Sequence, residues 1–94
     1  MISQGYAELG YQQLTGISSA TPLTVPPGAN FALIQAEAQN VRWRDDGVAP
    51  TTTVGMLMLT TDKAMEYSGP LGSLKLIAAT AGAIVNVSYY KSSG

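Results

Sequence analysis

The sequence predicts an all-β domain, a small β-sandwich of about eight short antiparallel strands. Three observations carry that prediction. Apolar and polar residues alternate with a period of two in several segments, as a strand with one buried face requires. Turn-forming residues recur roughly every 8–12 residues, the spacing of a sandwich or barrel. The length of 94 residues suits one domain, near the lower end of the usual size range.

Residues 1–10 place Gly5 and Gly10 around Tyr6-Ala7-Glu8-Leu9 with no clear alternation. They read as a frayed terminus or first edge strand, or as an N-terminal arm that orders only against a neighbouring subunit. Residues 11–94 read as a single β-sandwich domain. Strands are expected over 11–17 and 23–25. In 31–39 one parity is Ala32, Ile34, Ala36 and Ala38, and the other passes from Phe31 and Leu33 to Gln35, Glu37 and Gln39. The alanines make a helix the competing assignment. The Pro26-Pro27-Gly28 turn before the segment and the β-type stretch after it favour a strand.

Residues 41–44 continue extended, with Val41 and Trp43 on one face and Arg42 and Arg44 on the other. Asp45-Asp46-Gly47 closes that strand with residues that tolerate positive φ. Residues 54–59 are apolar on both parities, so both faces are expected to be covered, with Met56 and Met58 as core filler. A short strand over 64–67 ends in the turn Ser68-Gly69-Pro70-Leu71-Gly72. Residues 74–79 put Leu74, Leu76 and Ala78 on one face. Residues 83–90 put Ala83, Val85, Val87 and Tyr89 together, leaving Tyr90 at an edge or a subunit contact. Eight such strands with Greek-key connections make a jelly roll.

Composition speaks to function. Eleven side chains are charged, 12% of the chain against about 25% in a typical soluble domain, and His and Cys are absent. A chain this small hides only about 60% of its unfolded surface. A weakly charged surface of that extent suits a subunit that assembles. Without His or Cys the commonest general base and the best thiol nucleophile are missing, as are disulfides and thiolate metal sites. No enzyme activity and no cofactor are expected. The net charge of −1 and pI near 5.0 argue against a nucleic-acid partner. The first basic residue is Arg42, so a secretory signal with a charged n-region is not expected. The apolar run 76–85 is broken by Thr80 and Gly82 and falls short of the roughly 20 residues that span a bilayer. No membrane partner is expected, and the chain is expected to stay soluble in the cytosol.

The densest polar cluster is Arg42-Trp43-Arg44-Asp45-Asp46-Gly47. Its arginines either hold a neighbour's carboxylates or pair with Glu37 or the aspartates on a solvated strand. Trp43 is expected in the core; were it exposed, it would be an interface anchor. Asp45 and Asp46 are adjacent and point apart, a poor glycosidase pair, and calcium would need more oxygens than they offer. Thr51-Thr52-Thr53 and the serines have no His to activate them. The candidate contacts with another subunit or a partner surface are Arg42, Arg44, Asp45, Tyr6, Leu9 and Tyr90, with no catalytic, cofactor or metal residues among them.

Asn40-Val41-Arg42-Trp43-Arg44-Asp45-Asp46-Gly47, Ala49-Pro50-Thr51, Val54-Gly55-Met56, Glu66-Tyr67-Ser68-Gly69, Leu74-Lys75-Leu76-Ile77 and Val85-Asn86-Val87-Ser88-Tyr89-Tyr90 form a pattern covering residues 23–91. It resembles small β-rich structural proteins of tailed bacteriophages. The resemblance implies a virion component of the head decoration or cement type. A homo-oligomer, a trimer for preference, would attach to the major capsid protein at the capsid surface after synthesis in the bacterial host cytoplasm. The alternatives are a neck or tail-tip subunit, or a carbohydrate-binding module for host-surface adhesion. The module would require Trp43, Tyr67 and Tyr90 to be exposed together.

Overall fold

The computed structural model describes residues 6–92. Its strands are β1 (Tyr6–Leu14), β2 (Thr21–Pro22), β3 (Phe31–Glu37), β4 (Val41–Arg44), β5 (Met56–Met58), β6 (Met65–Tyr67), β7 (Lys75–Ala78) and β8 (Ile84–Ser92), with one 3-10 turn at Leu71–Ser73. They form two antiparallel four-stranded sheets, of order β1-β8-β3-β6 and β2-β7-β4-β5. The chain is all-β, as its alternation predicts.

The buried parity of each sheet faces one shared core. Ala32, Ile34 and Ala36 of β3 meet Val85, Val87 and Tyr89 of β8 across the first sheet. Val41 of β4 lies between Met58 of β5 and Ala78 of β7 in the second. Leu74, Leu76 and Ala83 are buried with them, on the parities the sequence predicts. Trp43 packs against this core from a half-buried position.

Four pairings nest: β1 with β8, β2 with β7, β3 with β6, and β4 with β5. The chain is thus an antiparallel ribbon doubled back at the β4–β5 connection and wound into two layers. Only that innermost connection joins partners close in sequence.

Several boundaries differ from expectation. From Tyr6, the segment that offered an arm is strand: Tyr6, Ala7 and Glu8 pair with Ser92, Lys91 and Tyr90, with a bulge between Glu8 and Gly10. Residues 1–5 of the arm lie outside the described residues. Strand β1 ends at Leu14, yet Ile17 is buried and its carbonyl accepts the amide of Ala78 at 2.9 Å. Strand β2 lies at 21–22, before the expected 23–25. Strand β3 stops at Glu37, and Ala38 is exposed with φ 75°. The amide of Gln39 donates to the carbonyl of Glu37 at 2.9 Å, so Ala38 is the central residue of a tight γ-type turn. That turn swings the chain from the first sheet into the second, which an unbroken strand would not do.

The largest correction concerns residues 54–59. They are not covered on both faces. Only Met56–Met58 is strand, at an open edge of the second sheet, and only Met58 is buried. An edge strand lacks a neighbour on one side, so local apolar content overstates its burial.

Candidate functional site

Two surfaces gather the expected contact residues, one on each sheet. The first lies over the ends of β1, β3 and β8. Register puts Phe31 directly opposite Tyr90, and alternation from buried Tyr89 turns both outward. Tyr6 joins them, its ring centroid 5.1 Å from that of Phe31 and 6.4 Å from that of Tyr90. Ser88 Oγ donates to Tyr90 Oη at 3.2 Å. Leu9, the bulge residue, is exposed nearby, and Tyr11 is 62% exposed further along the strand. Beyond the rings the surface turns polar and self-satisfied: the Tyr11 hydroxyl and Gln13 Nε2 both donate to Asn86 Oδ1, and Asn86 Nδ2 donates to Glu37 Oε1 at 2.8 Å.

The second surface is built on β4, β5 and the loop between them. A hollow of about 450 Å³ is lined by Trp43, Arg44, Asp45, Asp46, Val54, Gly55 and Met56. Val54 and Met56 of its wall stand exposed, Leu57 is exposed on the other face of the sheet opposite Arg42, Val48 and Leu59 are exposed in the flanking segments, and no charged residue occurs from Gly47 to Thr61. The loop is fastened from below by Arg42, whose Nε donates to the Thr52 carbonyl at 3.2 Å and whose guanidinium donates to the Gly55 carbonyl at 2.9 Å. Gly55 has φ 143°, and a Cβ there would come within 3.2 Å of the Trp43 carbonyl oxygen and of Pro50. Glycine is the residue that fits both the dihedral and the space.

Electrostatics sort the polar cluster. Arg44 forms a two-pronged ion pair with Asp46, Nε to Oδ1 at 3.0 Å and the second prong at 2.5 Å. That hydrogen bonding raises the guanidinium above its ordinary pKa and lowers the carboxyl below its own. Asp45 faces the other way and accepts the Tyr67 hydroxyl at 2.5 Å. Burial first, and then the Asp45 carboxylate, raise the Tyr67 phenol above its usual pKa. Tyr89 is pushed up to about 12 by burial, with its hydroxyl donating to Gln12 Oε1 at 2.7 Å.

The structure therefore divides the expected contact set. Tyr6, Leu9 and Tyr90 belong to the first surface; Arg42, Arg44 and Asp45 border the second, and all three hold partners within the chain. Trp43, Tyr67 and Tyr90 do not form a common shelf. Tyr67 is buried, Trp43 of the second sheet stacks edge-on against it at 5.9 Å, and Tyr90 points from the outer face of the first sheet, opposite to Tyr67. Sequence reasoning missed Phe31, Leu33 and Glu66 beside Tyr90, although the outward parity of 31–39 already began apolar. It missed the exposure of 54–59 outright.

Among the described residues no group of three or more metal-ligating side chains converges, and no helix is long and apolar enough to cross a membrane. Comparison with protein-family models, curated proteins and solved structures found no match.

Proposed function

We propose that this chain is a structural subunit of a tailed-bacteriophage virion: a jelly-roll decoration, or cement, protein that attaches to the capsid lattice as a homotrimer. The observation that carries the reading is its exposed apolar surface. Tyr6, Leu9, Tyr11, Val48, Val54, Met56, Leu57 and Leu59 are each 37–62% exposed; Tyr6 groups with Phe31 and Tyr90 on the first sheet, and Val54 and Met56 group at the Trp43 hollow on the second. Isolated apolar side chains on a surface are ordinary, but grouped ones mark interaction sites. Two separate patches suit a subunit with two kinds of contact, one to its own copies and one to the lattice.

The strand order supports the jelly-roll assignment. Nested pairing of β1–β8, β2–β7, β3–β6 and β4–β5, split over two four-stranded sheets, is what a wrapped ribbon of that kind requires, a fold that capsid and lectin domains share. The resemblance of residues 23–91 to phage structural proteins favours the capsid branch. The lectin branch loses its expected shelf, because Tyr67 is buried. A cement role follows from mass action: a subunit that binds only the assembled lattice stabilises it, and three linked contacts multiply weak affinities.

The test combines light scattering with imaging. Size-exclusion with light scattering should give about 29 kDa, three times the chain's 9.8 kDa. Cryo-microscopy of particles should show the protein on the head. A stable monomer at micromolar concentration would remove the trimer, and density confined to the neck or tail would remove decoration.

A further inference from the structure

We infer that the aromatic hollow on the first sheet is a binding site for a cationic side chain, the guanidinium or ammonium of an Arg or Lys on a protein partner. Tyr6, Phe31, Leu33, Glu66 and Tyr90 line an open hollow of about 400 Å³. A second hollow adjoins it and shares Tyr6, Phe31 and Glu66. Register places Glu66 opposite Leu33, on the same outward face as Phe31 and Tyr90. An apolar, electron-rich wall thus meets one carboxylate at its rim.

Three features select a cation. First, the faces of aromatic rings carry negative potential, which attracts Arg and Lys, and a carboxylate beside them adds to it. Second, no Lys or Arg lines either hollow. Lys91, next to Tyr90 in sequence, pairs with Ala7 and by alternation belongs to the opposite face. Third, among the described residues Glu66 has no ion-pair partner, whereas the other polar cluster, Arg44–Asp46, is closed on itself.

A sugar is the competing ligand, and the geometry disfavours it. The three rings are inclined to one another by 53°, 85° and 56°, so they offer no flat platform for a pyranose. The nearest amide is also occupied. Asn30 Nδ2 donates to the Ser92 carbonyl, and Asn30 Oδ1 accepts the Ser92 amide.

This inference rests on the attachment reading for its biological partner, but the site can be tested without it. The rings of Tyr6, Phe31 and Tyr90 would be followed by NMR on the full chain. Titrants would be N-acetyl-arginine methylamide, N-acetyl-glutamate methylamide and N-acetylglucosamine. Saturable shifts are expected with the arginine derivative alone, and Glu66→Gln, a change on an exposed edge strand, should weaken them. Shifts with the sugar alone would reassign the site to glycans, and no shift with any titrant up to 50 mM would overturn it.

On particles, Glu66→Gln should weaken attachment roughly tenfold at 50 mM salt, with the difference shrinking at 500 mM as screening rises. Attachment of Glu66→Gln equal to wild type at low salt would remove this site from the capsid contact and leave decoration standing. Failure of the wild type to attach would remove decoration, while the titration would still decide the hollow.

Discussion

Tyr67 shows how much one side chain can settle. Its ring is buried against Trp43, its hydroxyl is held by Asp45, and a Cβ on Gly69 would stand 2.7 Å from that hydroxyl. Tyr67→Phe deletes a charge-assisted hydrogen bond and is expected to cost about 1.5–3 kcal/mol in urea unfolding. The pH dependence follows from the direction of the shifts. Both Tyr67 and Tyr89 have phenol pKa values raised on folding, so above about pH 10 the unfolded chain releases protons that the folded chain keeps. This stabilisation is complete below pH 10. Stability should then fall as pH rises from 10 towards 12, by up to roughly 2.7 kcal/mol per unit where both groups contribute. Tyr67→Phe should halve that slope, and unfolding curves between pH 8 and 12 would measure it. None of this was legible in the sequence, because Asp45 and Tyr67 are 22 positions apart and no local pattern joins them.

At the scale of elements, β4 and β5 separate structural arginine from exposed apolar surface. Arg42→Ala should free residues 52–55, cost about 1–2 kcal/mol, and speed proteolysis of that loop. Leu57→Lys, on the edge strand, should leave the circular dichroism unchanged and, if the chain forms the proposed trimer, shift it towards monomer. If Leu57→Lys unfolds the chain instead, β5 belongs to the core and not to an interface. Strand β8 was legible because its alternation names a buried face without reference to partners. Strand β5 was not, since only the long-range pairing decides whether a strand lies at the centre or the edge of its sheet. The turn at Ala38 was hidden for a related reason: alanine is a poor marker for φ 75°, and the two-sheet geometry imposes it.

At the scale of the whole molecule, the total surface is unremarkable and its chemistry is not. The chain exposes 5184 Å², close to the roughly 5,200 Å² of a compact monomer of this mass. No excess area calls for a partner; the proposed assembly rests on the exposed apolar side chains instead. If folding and trimer assembly are one transition, each tenfold rise in concentration adds about 0.9 kcal/mol per subunit. That should raise Tm by roughly 4–8 °C in scanning calorimetry. A Tm independent of concentration would mean that each copy is stable alone.

The nested strand order has a consequence for how the chain reaches this state. Strand β8 occupies the space between β1 and β3, so sheet one has no middle until residues 84–92 have been synthesised. Closing β4 on β5 first shortens the effective span that β3 and β6 must bridge, and each later pair gains in turn from the one inside it. Folding would then proceed like a zip fastener from the hairpin outwards. Tyr6, which meets Ser92 at the far end of the ribbon, would be among the last residues to dock. The aromatic surface would therefore become available only on finished molecules, so a half-made chain has no complete hollow to offer.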